Sequence, residues 1–216
     1  MRSLFTATNS GFVLLLILFP LLGITTGFRE DYDICVYTGN AAGVMAAYQA
    51  AKQGANVILI EPSRWLGGMT GGGIDTLDWG EDDIIGGHTR LILQNKYDNK
   101  QYREAFKHLM DSSENVTILF EHRVNGVYMN GNEIRQIVLD LAPYDKLGCP
   151  PPNAKVVNNH VISARTFIDC SYEGELMAQT KSVKYTFGRE SRDTYGESLA
   201  GIEVLRHNHN LLCSTS

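Results

Sequence analysis

A carboxylate and a glycine-containing turn in the first half of the chain have the spacing of a dinucleotide-binding site. Glu61 ends an apolar run and lies 18 residues after Gly43. In such sites the carboxylate that ends the second strand accepts hydrogen bonds from a ribose hydroxyl, while N–H groups at a helix start bind the pyrophosphate. The spacing therefore predicts that Glu61 binds ribose and that a pyrophosphate lies at the helix start near Gly43.

The elements that must position these residues follow one another as strand, turn, helix and strand. Asp33 to Tyr37 is a short apolar run, and the next three residues, Thr38-Gly39-Asn40, are typical of a turn. Ala41 to Gln53 is Ala-rich, Gly54 ends this predicted helix, and Asn56 to Glu61 forms the second strand. This order predicts an α/β, Rossmann-like nucleotide-binding fold.

The turn departs from the GxGxxG fingerprint. With Gly43 aligned to the last glycine, Thr38 and Asn40 occupy the other two glycine positions. Asn tolerates left-handed backbone and Thr can serve a turn, but both have side chains where a pyrophosphate approaches closely. For residues 33 to 61 alone, an ordinary buried βαβ unit with another ligand is the alternative.

A glycine-rich segment follows Glu61. Five of the seven residues from Gly67 to Gly73 are glycine, so this backbone could approach a ligand closely and present N–H groups to it. A flexible linker is the alternative, but linkers rarely contain residues such as Trp65, Leu66 and Met69.

These residues resemble the FAD-dependent oxidoreductases of the glutathione-reductase-like superfamily, in which an Arg-x-x-Gly-Gly element follows the ribose-binding acid. They are most similar to the xanthan-lyase-like branch, which typically reads E-P-x-x-x-L-G-G-M-x-T-G-G. The resemblance implies an FAD site in which Glu61 binds ribose. It places Gly39, Asn40 and Gly43 at the pyrophosphate turn. It places Arg64, Gly67 and Gly68 on the flavin side.

A second block supports the same branch. Ala164 to Leu176 resembles the strand and turn, commonly I-D-A-T-x-x-G-D-L, that returns to the nucleotide domain and passes near the cofactor. Phe187 to Ser191 and Tyr195 to Gly201 look like its continuation, so the resemblance covers about residues 32 to 202. Without the family, the second block is an ordinary buried strand followed by a short helix.

The chain between the two blocks is predicted to be one insertion that includes a small β-meander. Asn130-Gly131 is a strong hairpin signal, because both residues tolerate positive φ. The predicted helices are Asp83 to Asp98 and Gln101 to Met110, and the predicted strands are Val116 to Phe120, Val124 to Met129 and Glu133 to Leu141.

The resemblance implies hydride transfer to or from the flavin N5, with an unknown small-molecule substrate and no assigned catalytic acid or base. Members of the branch are commonly much longer. We therefore expect residues 28 to 204 to form an incomplete FAD-binding domain, followed by a divergent tail at 205 to 216, and we expect this chain alone to be inactive. A non-catalytic secreted fragment that binds a nucleotide or a partner is the alternative.

The N-terminus predicts a secretory route. Arg2 precedes an apolar run, Phe12 to Ile24, that is short for a spanning helix, so residues 1 to 27 are predicted to be a signal peptide. Asn115-Val116-Thr117 is an N-glycosylation acceptor that agrees with this route. A cleaved signal leaves no stable membrane insertion, whereas an uncleaved anchor facing the lumen is the alternative.

Charge and histidine content indicate which other ligands to expect. A formal net charge of -5 without Lys or Arg clusters argues against a nucleic-acid surface. His207 and His209 could bind a metal, but no acids or cysteines converge on them in the sequence, and a solvated tail is favoured.

The four cysteines do not fix the compartment. Cys35 and Cys170 are predicted to be free residues in strands. Cys149 and Cys213 could pair, but spacing alone does not show it, and the absence of CxxC disfavours a dithiol redox site.

Overall fold

One six-stranded sheet forms the centre of the protein. The computed structural model describes residues 31–72, 81–95, 97–142, 146, 158–185 and 191–198. The strands are β1 Tyr32–Tyr37, β2 Val57–Glu61, β3 Val116–Phe120, β4 His122–Asn130, β5 Glu133–Leu141 and β6 Asn158–Asp169. The helices are α1 Ala41–Lys52, α2 Gly68–Gly72, α3 Thr89–Leu93, α4 Asn99–Asp111, α5 Glu175–Gln179 and α6 Arg192–Tyr195, with a 3-10 turn at Asp82–Ile84.

The sheet has a parallel and an antiparallel part. Its strand order is β3-β2-β1-β6-β5-β4. Strands β3, β2, β1 and β6 run parallel, whereas β5 pairs antiparallel with both β6 and β4. The parallel part is the predicted Rossmann-like unit, and the antiparallel part is the predicted meander, so the α/β fold class is confirmed.

Alternation along β1 and β2 fills two cores, one on each side of the sheet. Tyr37 and Ile60 pack on one side with residues of β4, β5 and β6. Val36 and Leu59 pack on the other side against α1 and α4, where Phe106 is a central residue. Every residue of β2 is buried, as expected for a parallel strand with both faces covered.

Helix α1 is built from its sequence as predicted, apart from one residue at its end. Asn40 caps its start with extended backbone, and Gly54, at φ 88°, follows its C-terminal cap. The helix buries Gly43, Val44 and Ala47 towards the sheet. Only the turn Thr38-Gly39-Asn40 separates the end of β1 from the N-terminus of α1.

The predicted helices of the insertion need correction. Asp83 to Asp98 is not one helix, because Gly87, at φ 55°, separates the 3-10 turn from α3. Helix α4 begins before Gln101, because Asp98 and Gln101 form a reciprocal capping box that makes Asp98 the N-cap. The predicted hairpin is confirmed between β4 and β5, but its turn lies one residue later, at Gly131-Asn132, because Asn130 pairs with Glu133 as the last residue of β4.

No helix within the described ranges is long and apolar enough to cross a membrane. Several predictions lie outside these ranges, including the signal peptide at 1–27, the tail at 205–216 and any pairing of Cys149 with Cys213. Cys35 and Cys170 are free. Asn115 and Thr117 of the predicted glycosylation acceptor are exposed at the start of β3.

Candidate functional site

The turn between β1 and α1 has the backbone geometry of the dinucleotide fingerprint. Thr38 adopts a φ of 71°, which is the left-handed region that favours glycine. A Cβ added to Gly43 would lie 1.9 Å from the carbonyl oxygen of Thr38, so only glycine lets α1 pack this closely on the turn. Thr38, at the first position of the fingerprint, therefore adopts the backbone conformation that a glycine would have there.

Thr38 is held in a costly state. A β-branched residue at positive φ is strained by about 1–3 kcal/mol. Its Oγ1 is also buried, and no hydrogen-bond partner lies within the described parts of the chain. Backbone strain and unpaired buried polar atoms are concentrated at functional sites, so this turn is a candidate site.

Asn40 connects the turn to the far side of the site. Its Oδ1 accepts a hydrogen bond from the N–H of Gly43 at 2.9 Å, which caps α1. Its Nδ2 donates to the carbonyl oxygen of Cys170, directly after β6. The side chain that the sequence suggests as an obstacle to pyrophosphate is thus a structural tie.

Glu61 lies against the same turn. Its Oε2 accepts from the N–H of Gly39 at 2.6 Å, and its Oε1 accepts from the N–H of Ser63 at 2.7 Å. Burial raises the pKa of Glu61, hydrogen bonds from Ser63 and Gly39 oppose this shift, and the charge of Glu175 adds to it. An ionised carboxylate has about four lone-pair positions, so each oxygen keeps capacity for a ligand hydroxyl.

The glycine-rich segment packs against protein atoms to a greater extent than the sequence predicts. The N–H of Gly67 donates to the carbonyl oxygen of Gly39 at 2.8 Å, which brings this segment to the turn. A Cβ added to Gly67 would lie 2.6 Å from Phe106, and one added to Gly68 would lie 2.4 Å from the hydroxyl of Tyr172. These glycines serve close packing, and the run from Gly68 continues as α2 instead of an open loop.

Arg64 lies beside the ring of Trp65, its neighbour in the sequence. Its guanidinium carbon lies 5.3 Å from the ring centroid of Trp65, and the guanidinium carbon of Arg103 lies 4.6 Å from the same centroid. Arg103 also donates to the carbonyl oxygen of Gly71 at 2.9 Å. Hydrogen bonds and close packing bring together Gly39, Asn40, Gly43, Glu61, Gly67 and Gly68. The guanidinium of Arg64 lies near the Trp65 ring.

The segment after β6 is organised by Asp169. One of its oxygens accepts from the N–H and hydroxyl of Ser171 at 2.9 and 2.6 Å, and the other accepts from the N–H of Met177 at 2.9 Å. The hydroxyl of Ser171 in turn accepts from the N–H of Glu175 at 2.7 Å. These contacts fix Tyr172 and Glu175 beside the turn.

Two adjoining open clefts result from this arrangement. The Glu61 cleft, of about 190 Å³, is lined by Thr38, Asn40, Glu61, Pro62, Gly68, Ser171, Tyr172, Glu173 and Glu175. The Arg123 cleft, of about 360 Å³, is lined by Tyr37, Pro62, Arg123, Val124, Glu175, Ala178 and Gln179. The two clefts adjoin, since Pro62 and Glu175 line both.

Comparison with known proteins assigns the family. The sequence model of the FAD-dependent oxidoreductase family matches residues 33–211. The chain belongs to this family. Its sequence has no match among curated proteins.

Solved structures agree with the fold expected of the FAD-dependent oxidoreductase family. The crystal structure of Thermovibrio ammonificans THI4 superimposes with a TM-score of 0.54 at 16% identity, covering 71% of this chain and 63% of THI4. PqsL, a probable FAD-dependent monooxygenase from Pseudomonas aeruginosa, superimposes with a TM-score of 0.46 at 14% identity, covering 74% of this chain and 47% of PqsL. The chain thus spans somewhat less than two thirds of the length of THI4.

The described residues fit FAD, the cofactor of this family. Glu61 retains acceptor capacity beside the turn, and α1 begins there with no acidic side chain in its first turn. A helix start of this kind favours phosphate. Sequence reasoning did not assign Tyr37, Asp169 or Glu175 to the site, although each lies at the end of a strand or the start of a helix that the sequence does predict.

Proposed function

We propose that this chain binds the adenosine-diphosphate half of FAD along the two clefts and forms the FAD-binding part of an oxidoreductase. The observation that carries the proposal is the position of Glu61, a buried carboxylate at the end of β2 that contacts the turn leading into α1. This is the position from which an acid accepts hydrogen bonds from a dinucleotide ribose.

The geometry gives each part of the nucleotide a place. The pyrophosphate would lie at the start of α1, near the N–H groups of Ala41 and Ala42, and the ribose beside Glu61. The base and the phosphate leave a ribose from opposite ends. The base would therefore pass Pro62 into the Arg123 cleft, since the pyrophosphate lies on the other side of Glu61.

The residues of this chain bind and orient the nucleotide. The redox chemistry, hydride transfer at the flavin N5, belongs to the cofactor when it is bound. We assign none of the described residues a catalytic role, and we propose a small-molecule substrate without naming its class. The chain spans 63% of the length of THI4. Catalytic turnover is therefore proposed for the whole oxidoreductase, of which this chain forms the FAD-binding part.

The proposal is tested by titrating the purified full chain with FAD and with ADP in a calorimeter. FAD tests the whole cofactor, and ADP tests the two clefts without the flavin. We expect both to bind at one site and ADP to compete with FAD. Failure of both ligands to bind a folded chain would overturn the proposed function.

A further inference from the structure

A buried tyrosine fixes one carboxylate at the junction of the two clefts. The hydroxyl of Tyr37 donates to Oε2 of Glu175 at 3.0 Å and accepts from the N–H of Val124 at 3.1 Å. Tyr37 is completely buried at the end of β1, whereas Glu175 is exposed at the start of α5. Because the N–H of Val124 donates a hydrogen bond to the Tyr37 oxygen, the hydroxyl of Tyr37 donates its own hydrogen bond to Glu175.

Glu175 presents a single type of hydrogen-bonding group to the Arg123 cleft. An ionised carboxylate only accepts hydrogen bonds, and the contact with Tyr37 leaves lone pairs on Glu175 for a ligand. Adenine carries an amino group at position 6, which donates. Hypoxanthine and guanine carry a carbonyl oxygen at that position, which only accepts and is repelled by a carboxylate. Their N1–H would donate to a carboxylate, so a preference for adenine requires that Glu175 faces position 6 of the base and not N1.

We propose that Glu175 selects adenine over 6-oxo purines in the Arg123 cleft and that Tyr37 is the residue that positions it. This inference rests on the proposed function, because it requires the base of a nucleotide to occupy this cleft. Tyr37 acts through Glu175, since its hydroxyl is committed to Glu175 and Val124.

Glu61 and Glu175 are proposed to recognise different parts of the nucleotide. Glu61 lines only the cleft assigned to the ribose, and its carboxylate reaches the turn. Glu175 lines both clefts. Glu61 can therefore bind the ribose of any purine ribonucleoside 5'-diphosphate. Glu175 is the residue that distinguishes one base from another.

The test compares ADP with IDP, which differ at position 6 of the base and in the proton that hypoxanthine carries at N1, so tighter binding of IDP would also overturn the role of Glu175. Calorimetric titrations use the full chain as wild type, Glu175→Gln and Glu175→Asp, with Tyr37→Phe as a positioning variant. Glu104→Gln is the matched control, because it makes the same change on the exposed surface of α4. Melting curves confirm that each variant is folded.

Wild type and the control are expected to bind ADP about tenfold more tightly than IDP, as a charge-assisted hydrogen bond predicts. A Gln amide can turn either its carbonyl or its NH₂ group to the base, so Glu175→Gln is expected to bind both nucleotides within about twofold. Glu175→Asp keeps an acceptor and is expected to retain part of the preference. Tyr37→Phe is expected to narrow the preference although Glu175 is still present.

Two further results overturn the role of Glu175 while leaving nucleotide binding intact. One is equal binding of ADP and IDP by wild type, and the other is an unchanged ADP preference in Glu175→Gln. If neither nucleotide binds wild type, the proposed function itself is overturned. The Glu175→Gln comparison does not depend on whether Tyr37→Phe folds.

Discussion

Asn40 ties the start of α1 to Cys170, the residue after β6. Its amide oxygen caps the helix at Gly43, and its amide nitrogen donates to the carbonyl oxygen of Cys170. Two segments that are 130 positions apart in the chain are joined by this one side chain. Both segments line the Glu61 cleft, so the tie sets the shape of the proposed ribose site.

Replacing Asn40 with glycine is therefore expected to destabilise the protein, although the fingerprint favours glycine there. Asn40→Gly loses the hydrogen bond to Cys170, about 1 kcal/mol, and part of the cap, a few tenths of a kcal/mol. Urea denaturation measures the loss. Asn40→Asp keeps the cap but not the donor and is expected to lose the tie as well. A glycine variant as stable as wild type would show that the tie contributes nothing.

Thr38 is expected to respond in the opposite direction. Thr38→Gly removes a side chain from a backbone with a φ of 71° and also removes the buried, unpaired hydroxyl. The relief of about 1–3 kcal/mol of strain outweighs the roughly 0.5–1 kcal/mol of chain entropy that glycine costs. We expect the free energy of unfolding to rise by about 1 kcal/mol.

Thr166→Gly is the matched control for this prediction, because Thr166 is an exposed residue within β6. Glycine within a strand lowers stability. If Thr38→Gly lowers stability as much as Thr166→Gly does, the turn is not strained at Thr38.

Gly43 is expected to tolerate no side chain. In Gly43→Ala the new methyl group would lie 1.9 Å from the Thr38 carbonyl oxygen, so α1 has to move away from the turn. Overpacking of this kind costs about 1–3 kcal/mol, and the shift should also weaken ADP binding. Gly126→Ala is the control, because no atom lies within 4 Å of the Cβ that it adds. Equal stability of the two variants would contradict this packing argument.

The sequence predicts the part of the site whose chemistry is local. Glu61 and Gly43 are recognisable because strand, turn and helix place them at fixed offsets along one βαβ unit. The contact of Arg103 with the Trp65 ring and the hydrogen bond between Tyr37 and Glu175 depend on packing between distant segments. No local pattern encodes such contacts.

The same distinction explains the errors in the fold. The hairpin predicted from Asn130-Gly131 is confirmed, because Gly131 adopts the positive φ that a tight turn needs, although the turn lies at Gly131-Asn132. The helix expected from Asp83 to Asp98 is interrupted, because a glycine at positive φ overrides the helical pattern around it. The glycines from Gly67 onward predicted close approach to a ligand, whereas the space beside Gly67 is filled by Phe106, which belongs to the distant helix α4.

Removing the charge of Glu61 is expected to weaken nucleotide binding. Glu61→Gln loses a charged acceptor of the ribose, so the affinity for both ADP and FAD should fall about tenfold or more. Calorimetry measures both affinities, and Glu104→Gln is again the control. Unchanged affinity in a folded Glu61→Gln variant would remove Glu61 from the site.

Ionisation of Glu61 is expected to change protein stability and ADP affinity in opposite directions as pH rises. Burial raises its pKa in the folded protein above the ordinary 4.5. Between 4.5 and that raised value the folded state binds more protons than the unfolded state, so the contribution of Glu61 to stability falls as pH rises. Ribose binding instead needs the ionised carboxylate, so the contribution of Glu61 to ADP affinity rises with pH across the same window.

Comparing wild type with Glu61→Gln at each pH isolates these two effects, because other titrating groups, including the phosphates of ADP, are common to both proteins. Urea denaturation should show wild type losing stability relative to the variant as pH increases above 4.5, with a plateau once Glu61 is ionised in the folded state. Calorimetry should show the ADP affinity of wild type rising relative to the variant over the same pH range. If both differences change in the same direction, or if neither changes, then Glu61 is not the buried acid that binds the ribose.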